Sequence, residues 1–525
     1  MSSYSILNDV LGPVMHGPSS SHTAASWRIA VLARSLLGNS VKSARFTFDP
    51  AGSYGAVFRD QGSDLAFASG VMGWDITDDR FFDALTIAAR EGVEIEFEVG
   101  RLPGDDHPNA VRVEMTGADD RSLEAMARST GGGSVELTKL DGWPVSLKGD
   151  AHCCFIRFDP KAQGDLFREL DRLNRSCRGS TKTCASMRTD EKLLQVVFSA
   201  LPPEGLETLR SLPGVREVRC APPLLFPRAG EPAFGSGHEV LEWVSIGSRP
   251  LAEAGLTYEA QLLGLSEERV RREMEHRLII MENAVRQGSA ETSRLRRMRL
   301  LNPTAGKVLR AESEGRLFLG GPAARAAARA MAAMHVNSSM GLVCAAPTGG
   351  SSGVIPGVLV TLDEMGVDLD RRIDALLAAG TVGLIFLLEG KTFAAEVAGC
   401  QVEIGAAGAM AAAAVVQAAG GTGAQALDAA AIALQNTMGW PCDLVQGVVE
   451  IPCHTRNAVA ASSAFICADL ILGSYENPIP LDETVAASLA VGKALPSELR
   501  CTAKGGLATT PSARSMKKRS TSSQP

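Results

Sequence analysis

The chain has 525 residues, 45% of them hydrophobic, enough for two or three buried cores rather than one. Its formal net charge is −7, from 52 basic and 59 acidic residues, and no long basic block stands before the last few residues. That excludes a nucleic-acid footprint and leaves a small molecule or another protein as the partner.

The opening "MSSYSILNDVLGPVMHGPSSSHTAA" lacks the basic start and apolar run of a signal peptide. Residues 1–150 then mix strand-like runs ("SARFTFDP", "VEIEFEVG", "AVRVEM", "SVELTKL") with helical ones ("AASWRIAVLARSLLG", "DDRFFDALTIAARE"), which predicts an α/β domain. Over 151–227 the order becomes strand, helix, strand, strand, helix, strand, the pattern of small ferredoxin-like domains. A Pro/Gly-rich linker follows at 228–238. From 239 to 511 strand signals almost vanish, and Ala/Leu-rich stretches such as "GPAARAAARAMAAMHV" and "AAGAMAAAAVVQAAGG" predict an all-helical domain. The polar end, 512–525, is expected to be disordered. The fold class expected is therefore α+β and multidomain. Within the helical part the longest strongly apolar stretch, Leu376 to Leu388, has thirteen residues where a membrane span needs roughly 20. A soluble cytoplasmic chain is expected, with its eleven cysteines reduced rather than joined in a disulfide framework.

Three stretches of the helical part do not read as helix interior: "VCAAPTGGSSGVIPG" (343–357), "EVAGCQVEIG" (396–405) and "GWPCDLVQGVVEIPCHTRNA" (439–458). Their glycines and prolines break helices and let backbone approach a bound group. Cys400, Cys442 and Cys453 sit in two of them, 42 (442 − 400) and 11 (453 − 442) positions apart, too far for paired CxxC turns. By spacing alone they are either buried thiols without a ligand role or a three-thiolate iron–sulfur site. Near the N-terminus, "GPSSSHTAASWRIA" (17–30) places three serines, His22 and Thr23 before an amphipathic helix. Such a segment is either a plain Ser/Thr cap or a carboxylate site at a helix N-terminus. "HPNA" (107–110) and "STGGG" (129–133) form a third patch.

Taken together and in this order, "GPSSSHTA", "HPNA", "GGG", "APTGG", "GCQVEIG", "CDLVQGVVEIPC", "RNA" and "AKGGLATTP" resemble the iron–sulfur-dependent L-serine dehydratases, in their single-chain form. The resemblance implies an N-terminal domain with the SSSHT loop, a degenerate ACT-like middle domain and an all-helical catalytic domain. It implies a [4Fe–4S] cluster on Cys400, Cys442 and Cys453, a catalytic set of Ser21, His22 and His107, and substrate contacts from Ser19, Ser20, Ser21, Thr23, Asn109 and Thr348. The implied chemistry is Lewis-acid help to the leaving β-hydroxyl and removal of the α-proton by a base, without a pyridoxal cofactor. The products are pyruvate and ammonia from a small amino acid, and the assembly a homodimer.

Several positions depart from the family pattern. Gln61 stands where a histidine of a Gly-His-Gly-Thr-Asp run is expected, and Gly349 where an Asn is. "SHTAAS" replaces SHTAGP and "GCQVE" replaces GCQGE, and the middle domain lacks the Gly-rich turn of an effector site. Cys344 is expected to pack, and Cys501 has no assigned role. Another β-substituted amino acid or a hydroxy acid is the second substrate reading, and an inactive amino-acid-binding homologue the third.

Overall fold

The computed structural model describes residues 4–104, 107–176, 180–186, 190–198, 203–290, 295 and 297–519. Sheets occupy the first half and helices the second, so the chain is α+β and multidomain. By contact it divides into two compact units, one of residues 1–20 with 230–525 and one of 21–229. Residues 4–20, grouped by sequence with the α/β region, thus pack with the helical half.

The unit of residues 21–229 has two sheets. In the larger, the strand Val41–Phe48 pairs in parallel with Glu94–Val99 and antiparallel with Ala110–Gly117, and Ser122–Gly131, Ser134–Leu140 and Trp143–Leu147 follow as a meander. Alternate residues of Ala110–Gly117 and Ser122–Gly131 are buried, as one covered face requires. The cover includes the helices Ala25–Leu37 and Ser63–Met72, with Phe46 stacked on Phe67 at 4.2 Å in the core between them. The smaller sheet runs Val215–Ala221, His152–Phe158, Lys192–Phe198, Ser180–Ser186, antiparallel throughout, with helices Gln163–Ser176 and Pro203–Ser211 completing the ferredoxin-like order. Its core is separate, built on Ile156, Phe158, Leu166, Leu170 and Val196. Cys154 and Cys220, opposite each other on adjacent strands, are joined as a disulfide. This departs from the expectation of wholly reduced thiols, because register alone brings the pair together.

In the helical unit, Ile404–Ala419 is buried along nearly its whole length and packs against Leu369–Gly390, Gly423–Gln435 and Cys453–Leu472. Its Ala and Gly residues keep every face slim enough for close helix packing. Leu369–Gly390 extends the thirteen-residue apolar stretch to a helix of 22, long and apolar enough to cross a membrane by composition; 78% of its most apolar window is buried inside the bundle. The half expected to be all helical also holds one strand, Leu342–Cys344, paired antiparallel with Val14–His16. Just before that strand, Ser5–Leu7 are fixed by Glu259, a fully buried carboxylate that accepts from Ile6 N at 2.8 Å, Leu7 N at 2.9 Å and Ser5 Oγ. At the other end, the segment expected to be disordered opens with a helical turn, Pro511–Ser515, capped by Thr510 and held by Gln446 Nε2 donating to Ala513 O at 3.0 Å. Residues 520–525 lie outside the described residues.

Candidate functional site

The thiols converge because backbone outside the helices is stitched around them. Gly399, at φ +75°, delivers Cys400, whose N–H donates to Trp440 O at 2.9 Å; a Cβ on Gly399 would stand 2.6 Å from that same oxygen. Cys442 N donates to Leu499 O and Cys501 N to Cys442 O, both at 2.8 Å, so the segment of Cys442 is bridged to that of Arg500 and Cys501. Cys453 is the first residue of the helix Cys453–Leu472. Cys400, Cys442 and Cys453 are all buried, and the Sγ atoms of Cys400 and Cys442 lie within 4.8 Å of each other and of a Glu403 carboxylate oxygen.

Arg456, one turn along from Cys453, reaches into this group. It donates to Pro441 O at 2.7 Å, pairs with Asp443 at 2.9 Å and places Nη1 3.7 Å from Cys400 Sγ. Hydrogen bonding to Cys442 and the Arg456 charge hold the Cys400 thiol below its usual range despite burial. The Cys442 thiol is pushed well up by its contacts with Cys400 and Cys501, and Cys453 by desolvation and then the Cys400 charge. Burial, followed by the Cys400 charge, raises the Glu403 carboxyl well above the ordinary carboxylate range. Asp443 also accepts from Leu507 N at 2.9 Å, which ties the "KGGLATTP" segment to the cysteines.

Thr348 borders the group, bonding Glu403 and closing a capping box with Ser351. Asn457 links this loop to Cys453: it accepts from Gly353 N at 3.1 Å and donates to Gly350 O at 2.9 Å and Cys453 O at 2.8 Å. The first part of the SSSHT segment meets the same loop. Asn337 donates to Pro18 O at 3.1 Å, and a Cβ on Gly349 would lie 2.9 Å from Pro18 O and 3.3 Å from Ser20 N. Gly349, where the resemblance leads one to expect Asn, leaves the room that this approach needs.

The other unit assembles a second group. Ser20–Ala24 forms a π-helical turn leading into Ala25–Leu37, whose N-cap residue Ala24 provides no side-chain cap. Ser21 Oγ lies 3.1 Å from His22 Nδ1 and Ser53 Oγ 3.2 Å from His22 Nε2, while Thr23 Oγ1 donates to the backbone carbonyl of Gln61 at 3.0 Å. Burial lowers His22 from 6.5 to about 4, so its imidazole is neutral at pH 7. Ser53 N donates to Pro108 O at 2.6 Å, which brings "HPNA" alongside, and Asn109 N donates to His107 Nδ1 at 3.1 Å. Ser129 N bonds Asn109 O at 3.1 Å, joining the "STGGG" turn to the group. Asn109 Oδ1 and Ser129 Oγ are buried without a partner among the described residues. Asp64, three positions past Gln61, has a carboxyl pushed up to about 6 by burial.

Sequence reasoning missed Glu403, Asp443, Arg456, Ser53 and Asp64, and left Cys501 without a role. Glu403 and Arg456 stand within quoted motifs, so an acidic or basic residue inside an otherwise apolar, Gly-rich segment was the available signal. Cys344 is buried on the strand Leu342–Cys344, its thiol pushed up to about 11 by desolvation.

Residues 184–508 match the family profile described as serine dehydratase alpha chain. The chain is 36% identical over 274 residues to the probable L-serine dehydratase, alpha chain, of Bacillus subtilis, covering 89% of that protein and 51% of this one. It is 37% identical over 245 residues to the L-serine dehydratase, alpha chain, of Peptoniphilus asaccharolyticus, covering 83% of that protein and 46% of this one. Against the L-serine dehydratase TdcG of Escherichia coli it is 38% identical over 182 residues, 40% of that protein and 34% of this one.

Proposed function

The chain belongs to the serine dehydratase alpha-chain family, and from that premise we propose that it is a cytoplasmic lyase that converts L-serine to pyruvate and ammonia with a [4Fe–4S] cluster on Cys400, Cys442 and Cys453. The observation that carries the reading is the convergence of buried thiols beside Thr348 and Glu403. Soft thiolates suit an iron–sulfur group, and three of them leave one iron of a four-iron cluster without a protein ligand. Arg456 offsets part of the negative charge such a group brings. When bound, the cluster supplies Lewis acidity that makes hydroxide a better leaving group.

The chain's own groups divide the remaining work. Ser19, Ser20 and Ser21 offer hydroxyls, and the segment through Thr23 backbone N–H groups, to the substrate carboxylate, and Thr348 and Asn109 add side-chain hydrogen bonds. His22, neutral at pH 7 and held between Ser21 and Ser53, is oriented to carry a proton. His107 is the second proton carrier. Gln61 cannot serve as a base, and its backbone carbonyl instead fixes Thr23.

The test is iron and acid-labile sulfide content of anaerobically purified protein, together with pyruvate formation from L-serine. About four irons per chain with pyruvate release is the expected result. No iron after reconstitution would overturn the cluster, and four irons without pyruvate would overturn the substrate.

A further inference from the structure

We propose that a cavity beside the four-stranded sheet is a binding site for a small, multiply charged oxyanion, of the phosphorylated or polycarboxylate class. The cavity measures about 500 Å³, the size of a metabolite site, and Arg121, Arg157, Arg210, Arg216 and Arg219 line it against a single lining carboxylate, Glu217. It lies wholly within residues 21–229 and does not depend on the lyase assignment.

The arginines are held in place by acids that occupy only part of each guanidinium. Arg157 pairs with Glu191 at 3.0 Å and Glu217 at 3.1 Å, and Arg219 with Glu217 at 2.8 Å and Asp141 at 3.2 Å. Arg121, Arg210 and Arg216, more exposed, pair with Asp119, Glu207 and Asp190. A guanidinium has five N–H donors in a rigid fork, so each pairing orients donors that remain for a ligand. Arg219 also donates through Nη2 to Ser122 O at 3.0 Å, which adds a backbone anchor to its two carboxylate partners and fixes the guanidinium at the cavity wall. Because the orienting acids neutralise much of the charge, recognition rests on the fixed array of donors rather than on net field. Another wall is the turn Ser35–Gly38, which ends the helix Ala25–Leu37. Helix carbonyls repel an anion and accept hydroxyls, so the charged end of the ligand belongs on the arginine side.

Isothermal titration of the full chain with inorganic pyrophosphate and, separately, with citrate tests the site and distinguishes phosphate from carboxylate chemistry. One-to-one binding of at least one probe is expected. The double substitution Arg210→Glu with Arg216→Glu, at exposed positions, should weaken it at least about tenfold, and Arg219→Lys, which keeps the charge but removes the fork, should weaken it in the same direction. Circular dichroism checks that both variants remain folded. Failure of both probes to bind the wild type, or unchanged affinity in folded double variant, would overturn the proposal.

Discussion

At the level of single residues, the three thiols and the serine–histidine pair make separable predictions. Cys400→Ala, Cys442→Ala and Cys453→Ala are each expected to abolish the visible absorbance of an iron–sulfur protein, whereas Cys501→Ala should retain about four irons per chain. Full iron content in any of the first three removes that residue from the ligand set. Ser21→Ala, which deletes the hydroxyl 3.1 Å from His22 Nδ1, should raise KM for serine with iron content unchanged; an unaltered KM excludes a substrate contact there. The thiols were legible from the sequence because their segments carry family-specific neighbours. Arg456 and Asp443 were not singled out, since a buried ion pair acquires meaning only when Pro441 and Leu507 are seen to converge on it.

Among the elements, the loop at Thr348 and the N-terminal segment are fitted to each other. Gly349→Asn would set a Cβ 2.9 Å from Pro18 O and 3.0 Å from the Met15 side chain. Overpacking of this kind costs about 1–3 kcal/mol, so a lowered thermal midpoint is expected, and an unchanged one would mean that the loop yields freely. Glu259→Ala leaves the amides of Ile6 and Leu7 without their buried acceptor, a loss of about 1–3 kcal/mol. Faster proteolytic removal of the first residues is the expected readout, and an unaltered cleavage rate would show that the strand alone holds them. Most helices and strands could be placed from periodicity, with the switch from period 2 to 3.6 marking the passage into the helical half. The strand Leu342–Cys344 escaped this reading because three residues carry no period and its partner lies 330 positions away (344 − 14).

For the molecule as a whole, acid should be destabilising through histidines buried in the neutral form. Desolvation lowers His22 and His335 from 6.5 to about 4. The unfolded chain takes up these protons first, so the stability each contributes is complete above pH 6.5 and lost as pH falls towards 4. The most each can supply is about 3 kcal/mol. Asp64, raised to about 6 by burial, and Glu259 and Glu403, also raised chiefly by burial, work in the opposite sense. The histidine share is therefore read as a difference: between pH 6.5 and 4 the urea midpoint of His335→Gln should lose less than that of the wild type, and identical pH slopes in the two would dismiss the histidine contribution.

The passage of the chain from one unit into the other between Ser20 and Ser21, and back between Ala229 and Gly230, bears on how the polypeptide could be cut. Severed at Ala229, the front fragment would still own Val14–His16 and the turn gripped by Glu259, while the rear fragment would own Leu342–Cys344 and Glu259 itself. Two genes in place of one would thus yield subunits joined by strand exchange, and the separately encoded halves should co-purify through the first twenty residues of the smaller.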